Sequence, residues 1–111
     1  MKHVTYSDKS LLVGDAAADL LMRYAAALAN TNGADAVDIR AIGSDGADVV
    51  ATFLLDAGAP LMAETSTASV KEPDNAEAEV YMRERMQQLS SFTRPVVGEP
   101  LNDELDEEFN L

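Results

Sequence analysis

The sequence predicts an α+β domain of two layers, in which a mainly antiparallel sheet, an N-terminal hairpin plus a three-stranded meander, carries two helices on one face. Three observations lead there. Residues 36–65 alternate apolar and polar side chains and are interrupted by two three-residue loops that each end in glycine. Two segments, 15–30 and 74 to about 89, repeat apolar residues at spacings of three and four. Residues 4–6 and 11–13 form a short alternating pair across Ser7-Asp8-Lys9, although the same stretch also fits an extension of the first helix.

In the first helix Asp15 is positioned to cap the N-terminus, Leu20, Tyr24, Ala27 and Leu28 share one stripe, and Gly33 stops the run. Asp19 and Arg23 stand four apart on its outer surface, and its six alanines among residues 16–27 make it slim enough to lie close on a sheet. In the meander, the loops Ser44-Asp45-Gly46 and Asp56-Ala57-Gly58 place glycine where a left-handed residue closes a three-residue hairpin loop. That register sets Ala41 opposite Val49, Ile39 opposite Ala51 and Val37 opposite Phe53, and across the second loop Phe53 opposite Leu61. A two-residue Asp45-Gly46 turn would instead set Asp38 against Phe53 and Arg40 against Ala51, mixing charge into the buried face. Pro60 suits an edge strand. Residues 66–73 read as a loop, and Asp74-Asn75-Ala76-Glu77 as a capping box that opens the second helix. On that helix Ala78, Val80, Tyr81, Met82, Met86 and Leu89 turn inward or to the border, Glu79 and Arg83 make an i,i+4 pair, and residues 90–95 leave the helix.

With 111 residues, 47% of them hydrophobic, the chain supports one domain, residues 1–97, followed by an acidic flexible tail, residues 98–111. Twenty acidic against eight basic residues disfavour DNA, RNA and anionic membranes as partners, because phosphate recognition needs clustered Lys and Arg. Six of the carboxylates fall in the tail, with no basic residue beside them. The chain has no cysteine, which fits a reducing compartment, and neither a signal peptide nor an apolar run of membrane-spanning length is present, so a cytoplasmic location is expected. A salt-adapted or GC-rich origin would equally explain the acidity and the alanine content.

No motif specifies a chemistry. There is no P-loop, dinucleotide-binding glycine pattern, paired-histidine metal spacing or Gly-x-Ser-x-Gly elbow, so no catalytic residue, metal or cofactor is expected. His3 is the single histidine and lies at the chain start. Gly43-Ser44-Asp45-Gly46 lies between strands, where a hairpin turn is the simpler reading than a phosphate loop. On the sheet face away from the helices, the register sets Arg40, Val50 and Glu64 side by side with Thr52 adjacent. This is a possible polar site, for which an ordinary cross-strand ion pair is the simpler reading. The same face gathers Ile42, Val50, Leu54 and Met62 into an apolar patch with a polar border, a common form of interface, or else a surface covered by another part of the same chain. In the tail Leu101, Leu105 and Phe109 recur every four residues, as in a segment that folds into a partner's groove, with plain solvation the simpler account. The sequence thus points to a non-enzymatic protein-interaction module, in the simplest version a homodimer, whose tail docks or mimics acidic ligands. The alternative is a small enzyme or ligand-binding domain at Arg40, Thr52 and Glu64.

Three stretches, Lys2-His3-Val4-Thr5-Tyr6, Leu12-Val13-Gly14-Asp15-Ala16-Ala17-Ala18-Asp19 and Tyr24-Ala25-Ala26-Ala27-Leu28, resemble the start of short uncharacterised actinobacterial proteins. The resemblance covers residues 2 to about 30 and departs at Val13, where such proteins usually carry threonine. It implies no activity and no functional residue. Its one structural implication is a strand at 11–13 that leads directly into the helix at Asp15.

Overall fold

A computed structural model describes residues 1–93. The elements run β1 (Lys2–Tyr6), β2 (Lys9–Val13), α1 (Asp15–Asn30), β3 (Asp35–Ile42), β4 (Asp48–Leu55), β5 (Leu61–Thr65) and α2 (Ala76–Thr93). The five strands form one antiparallel sheet in the order β4-β3-β2-β1-β5, joined to two helices in an α+β fold.

The β3–β4 hairpin has the expected register, with Val37 opposite Phe53, Ile39 opposite Ala51 and Ala41 opposite Val49. Its loop closes through Gly43 N–H to Ala47 O at 2.9 Å and Gly46 N–H to Gly43 O at 3.0 Å, with Gly46 at φ 84 in the left-handed region. The N-terminal hairpin also forms. It is longer than expected and turns on two residues, Ser7 and Asp8, with Ser7 at φ 59 as a primed turn requires.

The expected meander does not continue into the third strand. β5 leaves β4 and pairs instead with β1, setting Leu61 opposite Tyr6 and Ala63 opposite Val4, so Phe53 does not face Leu61. The two edges of the sheet are therefore joined by residues 56–60 alone. A flat sheet would hold them roughly 19 Å apart, four strand spacings. The loop is not extended, because Ala59 N–H bonds Asp56 O and Leu61 N–H bonds Ala59 O. The sheet must therefore curl. Tyr6 on β1 closes part of the resulting seam: its hydroxyl donates to Leu54 O on β4 at 2.8 Å, and its ring meets Phe53 edge-on at 6.1 Å.

Inside the curl lies the core. Val4, Leu11 and Val13 from the first hairpin, Val37, Ile39, Ala41, Phe53 and Leu55 from the second, the α1 stripe and Met82 of α2 form one buried cluster. Tyr24, Leu21, Ile39, Leu55, Val13 and Met82 are fully enclosed, and each such burial contributes about 1.5–3 kcal/mol.

The helix ends differ from expectation. Gly14 rather than Asp15 is the N-cap of α1; Asp15 lies in the first turn and pairs with the Met1 amino group at 2.9 Å. Asp19 takes Lys2 Nζ at 2.6 Å rather than serving Arg23. The second helix starts at Ala76 and runs on to Thr93, so residues 90–93 stay helical. Its first intrahelical bond is Glu79 N–H to Asn75 O, and Asp74 accepts from Ala76 N–H, so the capping box with Glu77 does not form. The Glu79–Arg83 pair is present at 3.7 Å.

Candidate functional site

The antiparallel ladder settles which backbone groups of the second hairpin are free. Because Gly43 bonds Ala47, the exchanging pairs with β3 fall at Val49, Ala51, Phe53 and Leu55. Asp48, Val50, Thr52 and Leu54 then turn their N–H and C=O outward along the β4 edge. On β3 the same alternation turns Ile42 and Arg40 toward β2. Ile42 meets Leu12 there, the one paired position between β2 and β3. One rung further, the chain has already turned into α1 and leaves Arg40 without a strand partner. Asn75 fills that rung: its Oδ1 accepts from Arg40 N–H at 2.7 Å and its Nδ2 donates to Arg40 O at 2.9 Å. It is the one buried polar residue among those described, 6% exposed, and both ends of its amide are satisfied.

The outer sheet face now has a definite composition. Val50 is 64% and Leu54 56% exposed, both on β4, beside Asp38 and Arg40 of β3. Thr52 donates to Asp38 Oδ1 at 2.6 Å across the strands. Arg40 sits opposite Val50 as expected, and a groove of about 390 Å³ separates Asp38, Arg40 and Val50 from the first turn of α2.

The strand order separates the remaining predicted residues. Glu64 lies on β5 opposite His3, so Arg40, Thr52 and Glu64 do not converge. Met62 is 52% exposed on that same far strand, opposite Thr5, apart from Val50 and Leu54. Ile42 is half-buried within the β2–β3 junction. Leu101, Leu105 and Phe109 lie outside the described residues.

A second constellation was not anticipated. The hydroxyls of Tyr24 on α1 and Tyr81 on α2 both donate to Asp35 Oδ2 at the start of β3, the latter at 2.5 Å. Arg85 Nε donates to the Tyr24 hydroxyl at 3.3 Å while its other arm reaches Gln88 Oε1 at 2.7 Å. The two rings stand perpendicular at 6.3 Å. Burial, then the bond to Asp35, pushes the Tyr24 hydroxyl well above its ordinary value. Tyr81 is raised as well, first by its bond to Asp35 and then by burial. For Asp35 burial works upward, but the two hydroxyls, the Ala36 N–H and the Arg85 charge outweigh it and hold the carboxyl below its usual range. A general acid or base needs a pKa near the working pH. Here the phenols keep their protons and the carboxylate stays ionised, so the cluster clamps three elements together rather than moving protons. Its trace in the sequence is Tyr24 on an apolar helix stripe, whose hydroxyl needs a partner once buried, whereas Tyr81 stays 41% exposed.

These shifts set a pH profile. A lowered Asp35 contributes stability that is present above its unfolded value, about 4, and lost as pH falls through the folded value. Raised tyrosines contribute stability that is present below their unfolded value, about 10, and lost as pH rises through the folded values. The melting temperature of the wild type should therefore fall at both ends, and Tyr24→Phe should flatten the alkaline arm. Parallel profiles for the two proteins would show that the cluster does not govern it.

Among the described residues no group of three His, Cys, Asp or Glu is arranged to hold a metal ion, and no helix is long and apolar enough to cross a membrane. Comparison with protein-family models, curated proteins and solved structures gives no match to this chain.

Proposed function

We propose that this protein is a non-enzymatic interaction module that associates with a second copy of itself through the outer face of its sheet. The observation that carries this reading is the exposure of Val50 and Leu54 on one strand, beside the groove that the first turn of α2 borders. An isologous interface brings the same patch from both copies together, so Arg40 of each can meet the acidic Asp38 or Asp48 of the other around an apolar centre. The enzyme alternative rests on a convergence of Arg40, Thr52 and Glu64 that the strand order does not produce. The cysteine-free composition is compatible with the cytoplasm. Residues 98–111 would add an acidic docking segment, or a charge mimic of nucleic acid, for a basic protein partner.

Sedimentation of the whole chain tests the self-association. The wild type should sediment as a dimer, and the double variant Val50→Glu with Leu54→Glu as a monomer with unchanged circular dichroism, because four added carboxylates would face one another across the axis. A monomeric wild type, or a dimer indifferent to both charges, would sink the proposal. A chain ending at Val97 that keeps every pulled-down partner would reduce the tail to solvation.

A further inference from the structure

The curl of the sheet leaves an opening where the free edge of β4 approaches the inner face of β1 and β2. A pocket of about 300 Å³ lies there, between Val4, Tyr6, Lys9 and Leu11 on one side and residues 51–54 on the other. Its apolar lining is part of the core: Val4 is 1%, Leu11 8% and Phe53 4% exposed. That volume falls at the small end of small-molecule sites, which are mostly apolar with a few placed polar groups.

Its rim carries one cation and part of a free strand edge. Lys9 is the only charged side chain that lines the pocket, and among the described residues it makes no side-chain hydrogen bond or ion pair. The ladder alternation turns both the N–H and the C=O of Thr52 toward this same edge, where no strand of the sheet takes them up, and an anion would use the N–H. The Tyr6 hydroxyl already occupies the outward carbonyl of Leu54, which removes an acceptor from the rim. An apolar cavity with an ammonium and a backbone N–H at its edge selects for a ligand with an apolar body and an anionic head. On a chain of net charge −12, anions are repelled in general, so any that binds must be held by this local arrangement.

We infer that the seam pocket binds a small amphipathic carboxylate, its apolar chain against Tyr6, Ala51 and Leu54 above the floor made by Val4, Leu11 and Phe53, and its carboxylate at Lys9 and the Thr52 N–H. The pocket shares Thr52 and Leu54 with the rim of the outer face but not Val50 or Arg40, so the Lys9 variants test it without touching the self-association patch. The probe is octanoate, with 1-octanol of the same chain length as control, titrated into the full chain and followed by amide chemical shifts. Octanoate should shift residues 4–11 and 51–54 and bind roughly fivefold or more tighter than octanol, the scale of a rim ion pair. Lys9→Gln should remove that preference, and Lys9→Arg should retain it. Lys9 is exposed, so neither change threatens the fold. Equal binding of acid and alcohol, a preference that survives Lys9→Gln, shifts confined to other regions, or no binding at all would each overturn the assignment.

Discussion

Tyr24→Ala is expected to destabilise the fold by about 4 kcal/mol, measured by urea unfolding. Tyr24 is fully buried in the core, so truncation opens a cavity that the surrounding side chains of α1, α2 and β3 fill only in part. The same change strips Asp35 of one hydroxyl donor and Arg85 Nε of its acceptor. Tyr24→Phe separates the two contributions. It keeps the ring and its edge-on contact with Tyr81 and removes only the hydroxyl, so it should cost about 1–2 kcal/mol. A Phe variant as stable as the wild type would mean that the polar cluster adds nothing beyond the packing of the ring.

Asn75→Ala should cost about 2–3 kcal/mol, although it removes one small side chain. The loss exceeds that of an ordinary cap because the amide leaves both the N–H and the C=O of Arg40 without a partner in a half-covered setting. Asn75→Asp should be no better: the carboxylate can still accept from Arg40 N–H but sets an oxygen against Arg40 O. Hydrogen exchange gives a local readout, since the Arg40 amide should lose protection in both variants while that of Ile39, bonded within the hairpin, keeps it. Unchanged protection at Arg40 would show that Asn75 is not the rung that holds β3 to the start of α2.

Much of the architecture was legible in the chain. The β3–β4 hairpin is a local object: Ser44-Asp45-Gly46 supplies the left-handed residue that the loop needs, and two-residue periodicity on each side leaves one register that buries Val37, Ile39, Ala41 and Phe53 together. The helices are local in the same sense. Capping was less so. Asp15 and Asp74 each look like caps in sequence, yet Asp15 is drawn to the Met1 amino group, and Asn75 spends its side chain on a strand thirty-five residues away.

The candidate site was legible only where it rests on that hairpin. Arg40 and Val50 face one another as expected, and Thr52 lies beside them, because one loop sets all three. Met62 and Glu64 were placed by continuing the meander through Asp56-Ala57-Gly58, and nothing local could reveal that β5 prefers β1. Leu61 and Ala63 alternate correctly for either neighbour, so periodicity specifies which face of β5 is buried and not which edge it joins.

By itself, then, the sequence determined the two helices, the three later strands and the buried side of those strands, because these follow from neighbouring side chains and turn chemistry, while it left residues 4–13 open between a hairpin and a helical extension. It also determined that the charge is acidic, with twenty acidic against eight basic residues. The tertiary structure alone decided the strand order, the curl that opens a pocket beside Lys9, the Asn75 rung and the meeting of Tyr24, Asp35, Tyr81 and Arg85. Each of these depends on contacts between residues far apart in the chain, and such contacts form only when the whole apolar surface is buried at once.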